Sequence, residues 1–561
     1  MADVAWTDAA LEPSDANGNR TGRAGHTRVE RKRLGAFYTP EPIARFIASW
    51  AIRSKRDTVL DPSFGGLVFL DAAVDRLCEL GSTRAHALRQ VYGVDIDEPT
   101  HAWARAHGWG GLNGRLRVSD FFAVSPEQLP SVNANIGNPP YIRYQRWSDD
   151  LGLVADACEQ AGVRLDKRAS LWAPFLLHSC RFLARGGCLG QVLPGEVLFA
   201  QYAKPVVEHL QALFSELLLV VFKQRVFSAA ETEVVLLLAD GYGEGPAQRV
   251  QLVECEDAAA LGALSSRPRN PYSADTPLLG LLPVRTRRLF TRLERHPEVC
   301  SLRNIAQVDI GVVTGANDFF LLTRDQVQDL GVPSGATCSA ISRARDVPGA
   351  NVEAADLERF SSTGRSTELL LLDPETDRDA NEPLGAYIAG GERQGLHTRT
   401  QCRRREPWWS VKVPRLGVPD AFLTYMSDTF PRLVRNKAGV LATNTIHHVA
   451  FQDPSSGDAL VAGFYNSLTL LSAELYGRSY GGGTLKLEPR EAESLLVPRI
   501  PRELGRRLSL VDQLVRAGDL EGVVSCVDPL VLPRLGLGND EIRALRTARE
   551  RLVARRRKLT T

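Results

Sequence analysis

The sequence predicts an α/β unit with a mainly parallel sheet, followed by a mixed α+β unit. Three observations carry that prediction. From residue 34 to about 240, short apolar runs alternate with helix-like stretches, the pattern of a parallel sheet covered by helices on both faces. From 301 to about 500 the chain turns to shorter strand-like pieces, Gly-rich turns and many Arg, Trp and Tyr residues. Polar residues follow the apolar runs of the first half, at the carboxyl ends of strands where such sheets bind ligands.

Residues 1–33 are rich in Asp, Asn, Gly, Thr and Arg without apolar periodicity, so they read as a flexible tail. Within a catalytic domain at 34–245, Thr58–Leu60, Val91–Val94, Ala134–Ile136 and Leu189–Leu193 read as buried strands. Residues 41–53, 67–80 and 170–185 read as helices. A polar segment with Pro and Arg, 246–300, is expected to be a connector. The second domain follows at 301–500, and 501–561 returns to helical periodicity with a basic end.

At 561 residues and 61.5 kDa, the chain has room for about three to five domains. It is 44% hydrophobic and 24% charged, ordinary globular usage that excludes global disorder. The net charge of +2 does not announce a nucleic-acid binder, so DNA contacts would require clustered basic residues. No apolar run reaches the ~18 residues of a membrane span, and residues 1–30 hold no signal-like apolar core. Nine cysteines are scattered singly, which implies reduced thiols in a cytoplasm and no structural metal.

Four signals carry chemistry. Asp61-Pro62-Ser63-Phe64-Gly65-Gly66 follows the first strand, and such a glycine turn lets backbone approach a ligand or simply reverses the chain. Asp95-Ile96 ends the second strand, where a carboxylate takes ribose hydroxyls or stands as a solvated turn acid. Asp120-Phe121 follows the third, offering an acceptor for an adenine amino group beside an aromatic face, or a helix cap. The fourth is Asn138-Pro139-Pro140-Tyr141, which arises by chance in roughly one chain of this length in 600. The Asn138 oxygen and the Pro139 carbonyl can accept from a conjugated amino group and draw its lone pair out of the ring. The prolines hold that carbonyl in place, and Tyr141 offers a stacking face. The dinucleotide pattern Gly-x-Gly-x-x-Gly is absent.

Together these motifs resemble the gamma class of N6-adenine DNA methyltransferases of type II restriction–modification systems. The resemblance implies a class I, Rossmann-like S-adenosylmethionine-dependent methyltransferase domain with a C-terminal target-recognition domain. It implies that Tyr38 and Thr39 in Gly35-Ala36-Phe37-Tyr38-Thr39-Pro40 lie by the methionine end of S-adenosyl-L-methionine. Asp61, Ser63, Phe64 and Gly65 would form the cofactor loop, Asp95 and Ile96 the ribose site, and Asp120 with Phe121 the adenine pocket. Phe227, in Phe227-Ser228-Ala229-Ala230-Glu231-Thr232, would stack on the other face of a flipped base. The match is looser through Gly311–Phe320. Where the family usually has glycine, this chain has Leu67, and Leu67→Gly is expected to bind the cofactor at least as well.

The second half is expected to read double-stranded DNA through Arg403, Arg404, Arg405, Trp408, Trp409, Arg435, Lys437, Arg478, Ser479 and Lys486, since arginine suits both phosphates and guanine. The family implies a monomer partnered by a separately encoded endonuclease of the same specificity. Alternatives are an orphan or phage-defence methylase, a catalytically impaired DNA-binding subunit, and a methylase of protein or RNA amide nitrogen.

Overall fold

The computed structural model describes residues 39–558 apart from 111–114, 143–150, 167–168, 228–232, 274–275, 378–380, 415 and 481–482. Tyr38, the tail and Ser228–Thr232 lie outside the described residues. The chain divides into two compact units between Leu281 and Leu282.

The first unit is built on nine strands: β1 Val59–Asp61, β2 Val91–Asp95, β3 Leu116–Val118, β4 Val132–Gly137, β5 Leu183–Pro194, β6 Phe214–Phe222, β7 Val234–Tyr242, β8 Val250–Cys255 and β9 Asn270–Pro271. Their order is β3-β2-β1-β4-β5-β7-β6-β8-β9. The first five are parallel, whereas β7 runs antiparallel between β5 and β6. Strand order reverses at β1, which neighbours both β2 and β4, so the carboxyl-end crevice of a doubly wound sheet opens there. The expected α/β class is the one found.

Local sequence explains the layers. In β6 and β7, Leu217–Phe222 and Val234–Ala239 are continuous apolar runs and are buried, as strands covered on both faces require. Helix Glu41–Ala51 buries Ile43, Ala44, Ile47, Ala48 and Ala51, one stripe at helical spacing. Helix Trp172–Cys180 is buried on every side.

Two boundaries differ from the sequence reading. Residues 246–281 are not a connector, because β8 pairs with β6 and β9 with β8. Val250, Leu252, Val253 and Cys255 supply a buried strand that the surrounding polar residues mask. The C-terminal helices Leu508–Arg516, Leu520–Val531 and Asn539–Lys558 pack with 301–500 up to Arg557. That second unit contains a five-stranded and a four-stranded sheet, with smaller ones of three and two strands. Helix Ser467–Tyr476 lies at its centre, buried along Ser467–Leu475.

Candidate active site

The four strand-end motifs converge on the carboxyl edge of β1–β4. Asn138 directly follows β4 and is fixed by two neighbouring segments. Its Nδ2 donates to Thr39 Oγ1 at 3.2 Å, and its carbonyl accepts from Ser63 Oγ at 3.0 Å. Pro139 and Pro140 are buried. Tyr141 is anchored from the far side, its hydroxyl donating to the Val192 carbonyl of β5 at 3.0 Å. Burial holds that hydroxyl well above its ordinary pKa, so it stays a neutral phenol.

The loop after β1 is tight. Gly65 sits at φ +42°, and its N–H donates to Asp95 Oδ2 at 2.9 Å. Asp95 Oδ1 accepts from the Asp97 N–H at 2.9 Å, and burial nevertheless raises its carboxyl above the ordinary value. Beside it Ile96 is 42% exposed, an apolar side chain left open at a strand end. Leu67 adopts φ 63° and ψ −2° and starts the helix Val68–Glu79. It is the sole non-glycine residue at positive φ among the described residues. A left-handed conformation costs a side-chain-bearing residue roughly 1–2 kcal/mol, which is the physical reason a glycine suits this position. The Leu67 side chain is 1% exposed and turns into the hydrophobic core, not outward to the loop.

Several residues expected to touch ligands are engaged by the protein's own groups or buried along this edge. Asp61 is 0% exposed. Its Oδ1 accepts the Ser63 N–H at 3.1 Å, and its Oδ2 is buried without a hydrogen-bond partner. Burial pushes this carboxyl well above the carboxylate range; the Ser63 bond opposes the shift and the Asp95 charge adds to it. Phe64 packs edge-on against His101, with ring centroids 4.8 Å apart. Asp120 Oδ1 caps the turn Phe121–Ala123 through the Phe122 N–H. Phe121 lies buried against Phe175, His178 and Phe182. Phe227, expected to stack on a base, is 3% exposed in the core, and so presents no open face.

The DNA-contact expectations divide more sharply. Arg403 and Arg404 are exposed. Arg405 instead hydrogen-bonds the Val313 carbonyl and lies over Phe320, and burial lowers its pKa. Trp408 is core, with Nε1 donating to Glu392 Oε1 at 3.2 Å, and Trp409 packs edge-on against it. Arg435 pairs with Asp458 at 3.1 Å and Asp420 at 3.6 Å, and Lys437 pairs with Asp458 at 3.3 Å. Arg478 pairs with Glu491. Lys486 pairs with Glu488 at 2.8 Å and sits between the rings of Tyr425 and Tyr480. Ser479 lies in the short strand Arg478–Tyr480, partly exposed.

Sequence reading missed Gln191 and Asn135. Both are 0% exposed, and Gln191 Nε2 donates to Asn135 Oδ1 at 2.9 Å. Their signal was an amide inside each of two apolar strand runs. No group of three or more His, Cys, Asp or Glu that could hold a metal occurs among the described residues. No described helix is long and apolar enough to cross a membrane.

Residues 24–240 match the N-6 DNA Methylase family, and 277–532 match the C-terminal domain of Type II methyltransferase M.Eco57I. The chain is 22% identical over 487 residues to Type II methyltransferase M.AccI of Acinetobacter calcoaceticus, covering 82% of this chain and 84% of the relative. It is 24% identical over 485 residues to Type II methyltransferase M.XamI of Xanthomonas campestris pv. amaranthicola, covering 83% and 86%. In fold it is similar to the Type IIL restriction-modification enzyme MmeI, solved in complex with DNA, with a TM-score of 0.56 and 12% identity over 93% of this chain and 76% of that one. With the Asn-Pro-Pro-Tyr tetrapeptide seated at the end of β4, the chain belongs to the N6-adenine DNA methyltransferases of type II restriction–modification systems.

Proposed function

We propose that this methyltransferase takes its methyl group from S-adenosyl-L-methionine and places it on N6 of an adenine flipped out of a short double-stranded site. The observation that carries this reading is the seating of Asn138–Tyr141 by Thr39, Ser63 and Val192. The residues suit the cofactor: a carboxyl at Asp95, exposed Ile96, the glycine loop at Gly65 and the Thr39 hydroxyl stand along one edge of the sheet. When bound, the cofactor supplies an electrophilic methyl on a sulfonium sulfur.

The chain's own residues do the rest by positioning. Flipping costs a few kcal/mol of stacking, and the Tyr141 ring, tethered to β5, offers a replacement face. Thr39 fixes which way the Asn138 amide points, so its oxygen and the Pro139 carbonyl can accept from the adenine amino group and localise its lone pair. No base is required, because the amino proton becomes acidic only as the new N–C bond forms. Holding the nucleophile in line accounts for a large share of the barrier reduction.

Arg403 and Arg404 are the cations best placed to meet phosphate, being exposed. We read the protein as a cytoplasmic monomer that protects host DNA from a cognate restriction endonuclease. Methylome sequencing of DNA from a methylation-free host expressing the chain tests the core of this reading. N6-methyladenine at one recurring short motif is the expected result. Unmodified DNA from well-expressed, folded protein would overturn it.

A further inference from the structure

Beneath the catalytic tetrapeptide lie two buried oxygens that share one problem. Asp61 Oδ2 and Gln191 Oε1 are both acceptors without a hydrogen-bond partner, on residues that are both 0% exposed. An orphaned buried acceptor bears the full desolvation penalty of its missing bond, so two together call for a donor. They belong to neighbouring groups. A Cβ at Gly137 would stand 2.9 Å from Asp61 Oδ1 and 3.5 Å from Gln191 Oε1. Glycine therefore lets the carboxyl and the carboxamide approach each other from β1 and β5, across β4. The Gln191 amide cannot turn to help, because Nε2 is already committed to Asn135 Oδ1, and Asn135 Nδ2 to the Ser179 carbonyl at 3.2 Å. That chain of bonds fixes the Gln191 oxygen on the side of Gly137, where the Asp61 carboxyl also lies.

The consequence reaches the reacting residues. Asp61 Oδ1 holds the Ser63 N–H, the Ser63 hydroxyl holds the Asn138 carbonyl, and Gly137 directly precedes Asn138. The next residue of β5, Val192, holds the Tyr141 hydroxyl. Adjacent residues of one strand thus support both ends of Asn138–Tyr141. We propose that Gln191 is a positioning residue for methyl transfer, its carboxamide oxygen accepting the proton of a neutral Asp61 carboxyl across Gly137 and so fixing, through Ser63, the backbone that presents Asn138. Burial of Asp61 favours the neutral form independently. The inference rests on the reading of Asn138 as the residue that holds the target amino group.

The test uses the full chain and three variants. Asp61→Asn keeps the carbonyl that accepts from Ser63 and replaces the acid O–H by an amide N–H, so it preserves the bridge. It is therefore expected to lower the single-turnover rate less than Gln191→Leu does, and Gln191→Leu to lower that rate at least about tenfold with the affinity for S-adenosylhomocysteine little changed. Infrared spectra at neutral pH should show a protonated-carboxyl band in the wild type that Asp61→Asn removes. A collapse of S-adenosylhomocysteine affinity in Asp61→Asn would overturn the proposal, since Asp61 would then act as an anion toward the cofactor. Absence of the infrared band, or an unchanged rate in folded Gln191→Leu, would overturn it too. Asn138→Ala separates the two readings: if that variant keeps its rate, the role given to Asn138 fails, whatever Gln191 does.

Discussion

The two units differ in where the residues of their sequence motifs end up. In the first, the motif residues gather at one sheet edge, where Thr39, Ser63 and Val192 hold Asn138–Tyr141. In the second, the cations and indoles that look most like DNA contacts are engaged by their own fold: Arg405 with Val313, Trp408 with Glu392, Arg435 with Asp458 and Lys486 with Glu488. The difference teaches how to read such residues. A polar group at the end of a buried parallel strand is placed by topology, whereas a charged run says nothing of whether its partner is a phosphate or a neighbouring carboxylate.

Asn138→Ala attacks the first unit at its strongest point. Methyl transfer should fall by at least about a hundredfold, with DNA binding nearly intact, as measured by single-turnover kinetics and filter binding. Trp408→Ala attacks the second. If Trp408 is core, the variant loses about 3–5 kcal/mol of stability in denaturant unfolding; weaker DNA binding with unchanged stability would return it to the interface. Acid sharpens the contrast further. Burial holds His178 down at about 4, while the unfolded imidazole titrates near its ordinary 6.5. Its contribution is therefore complete above about pH 6.5 and lost as pH falls toward 4, by up to about 3 kcal/mol. A pH series of thermal unfolding should flatten in His178→Gln.

Leu67→Gly is smaller and composite. It relieves roughly 1–2 kcal/mol of left-handed strain but deletes a buried side chain worth about 2–5 kcal/mol. Stability should therefore drop modestly while S-adenosylhomocysteine affinity, measured by calorimetry, is not reduced. The smallest effect is expected from Arg403→Ala with Arg404→Ala, which should lower the salt slope of DNA binding by about 1–2 and leave the methylated sequence unchanged.

Much of the first unit was legible because its signals are local. Asn-Pro-Pro-Tyr, the glycine turn at Gly65 and the acids closing β2 and β3 each announce a strand end, and parallel topology brings strand ends together. Leu67 was legible as a misfit, though only the backbone shows that its side chain points inward. Phe227 and Phe121 lie buried, a placement their motifs did not announce, because an aromatic beside a motif serves a core as readily as a ligand. Gln191 was hidden inside a run read simply as buried strand, and β8 inside a segment whose polar neighbours outweighed four apolar residues. The second unit was poorly legible because its cations meet carboxylates far along the chain, as Arg478 meets Glu491 and Lys437 meets Asp458.

The placing of β7 between β5 and β6 also sets a timetable for synthesis. β5 ends at Pro194 and β7 begins at Val234. At about 5–20 residues per second the ribosome takes roughly 2–8 s to cover that interval. Throughout it the apolar edge of β5 lacks its native neighbour, and β6 has emerged with neither β7 nor β8 to pair with. Open apolar edges are templates for the wrong partner. The nascent chain is thus most vulnerable just before the hairpin-like return of β7 closes the sheet, and a helper that shields strands would act in that window.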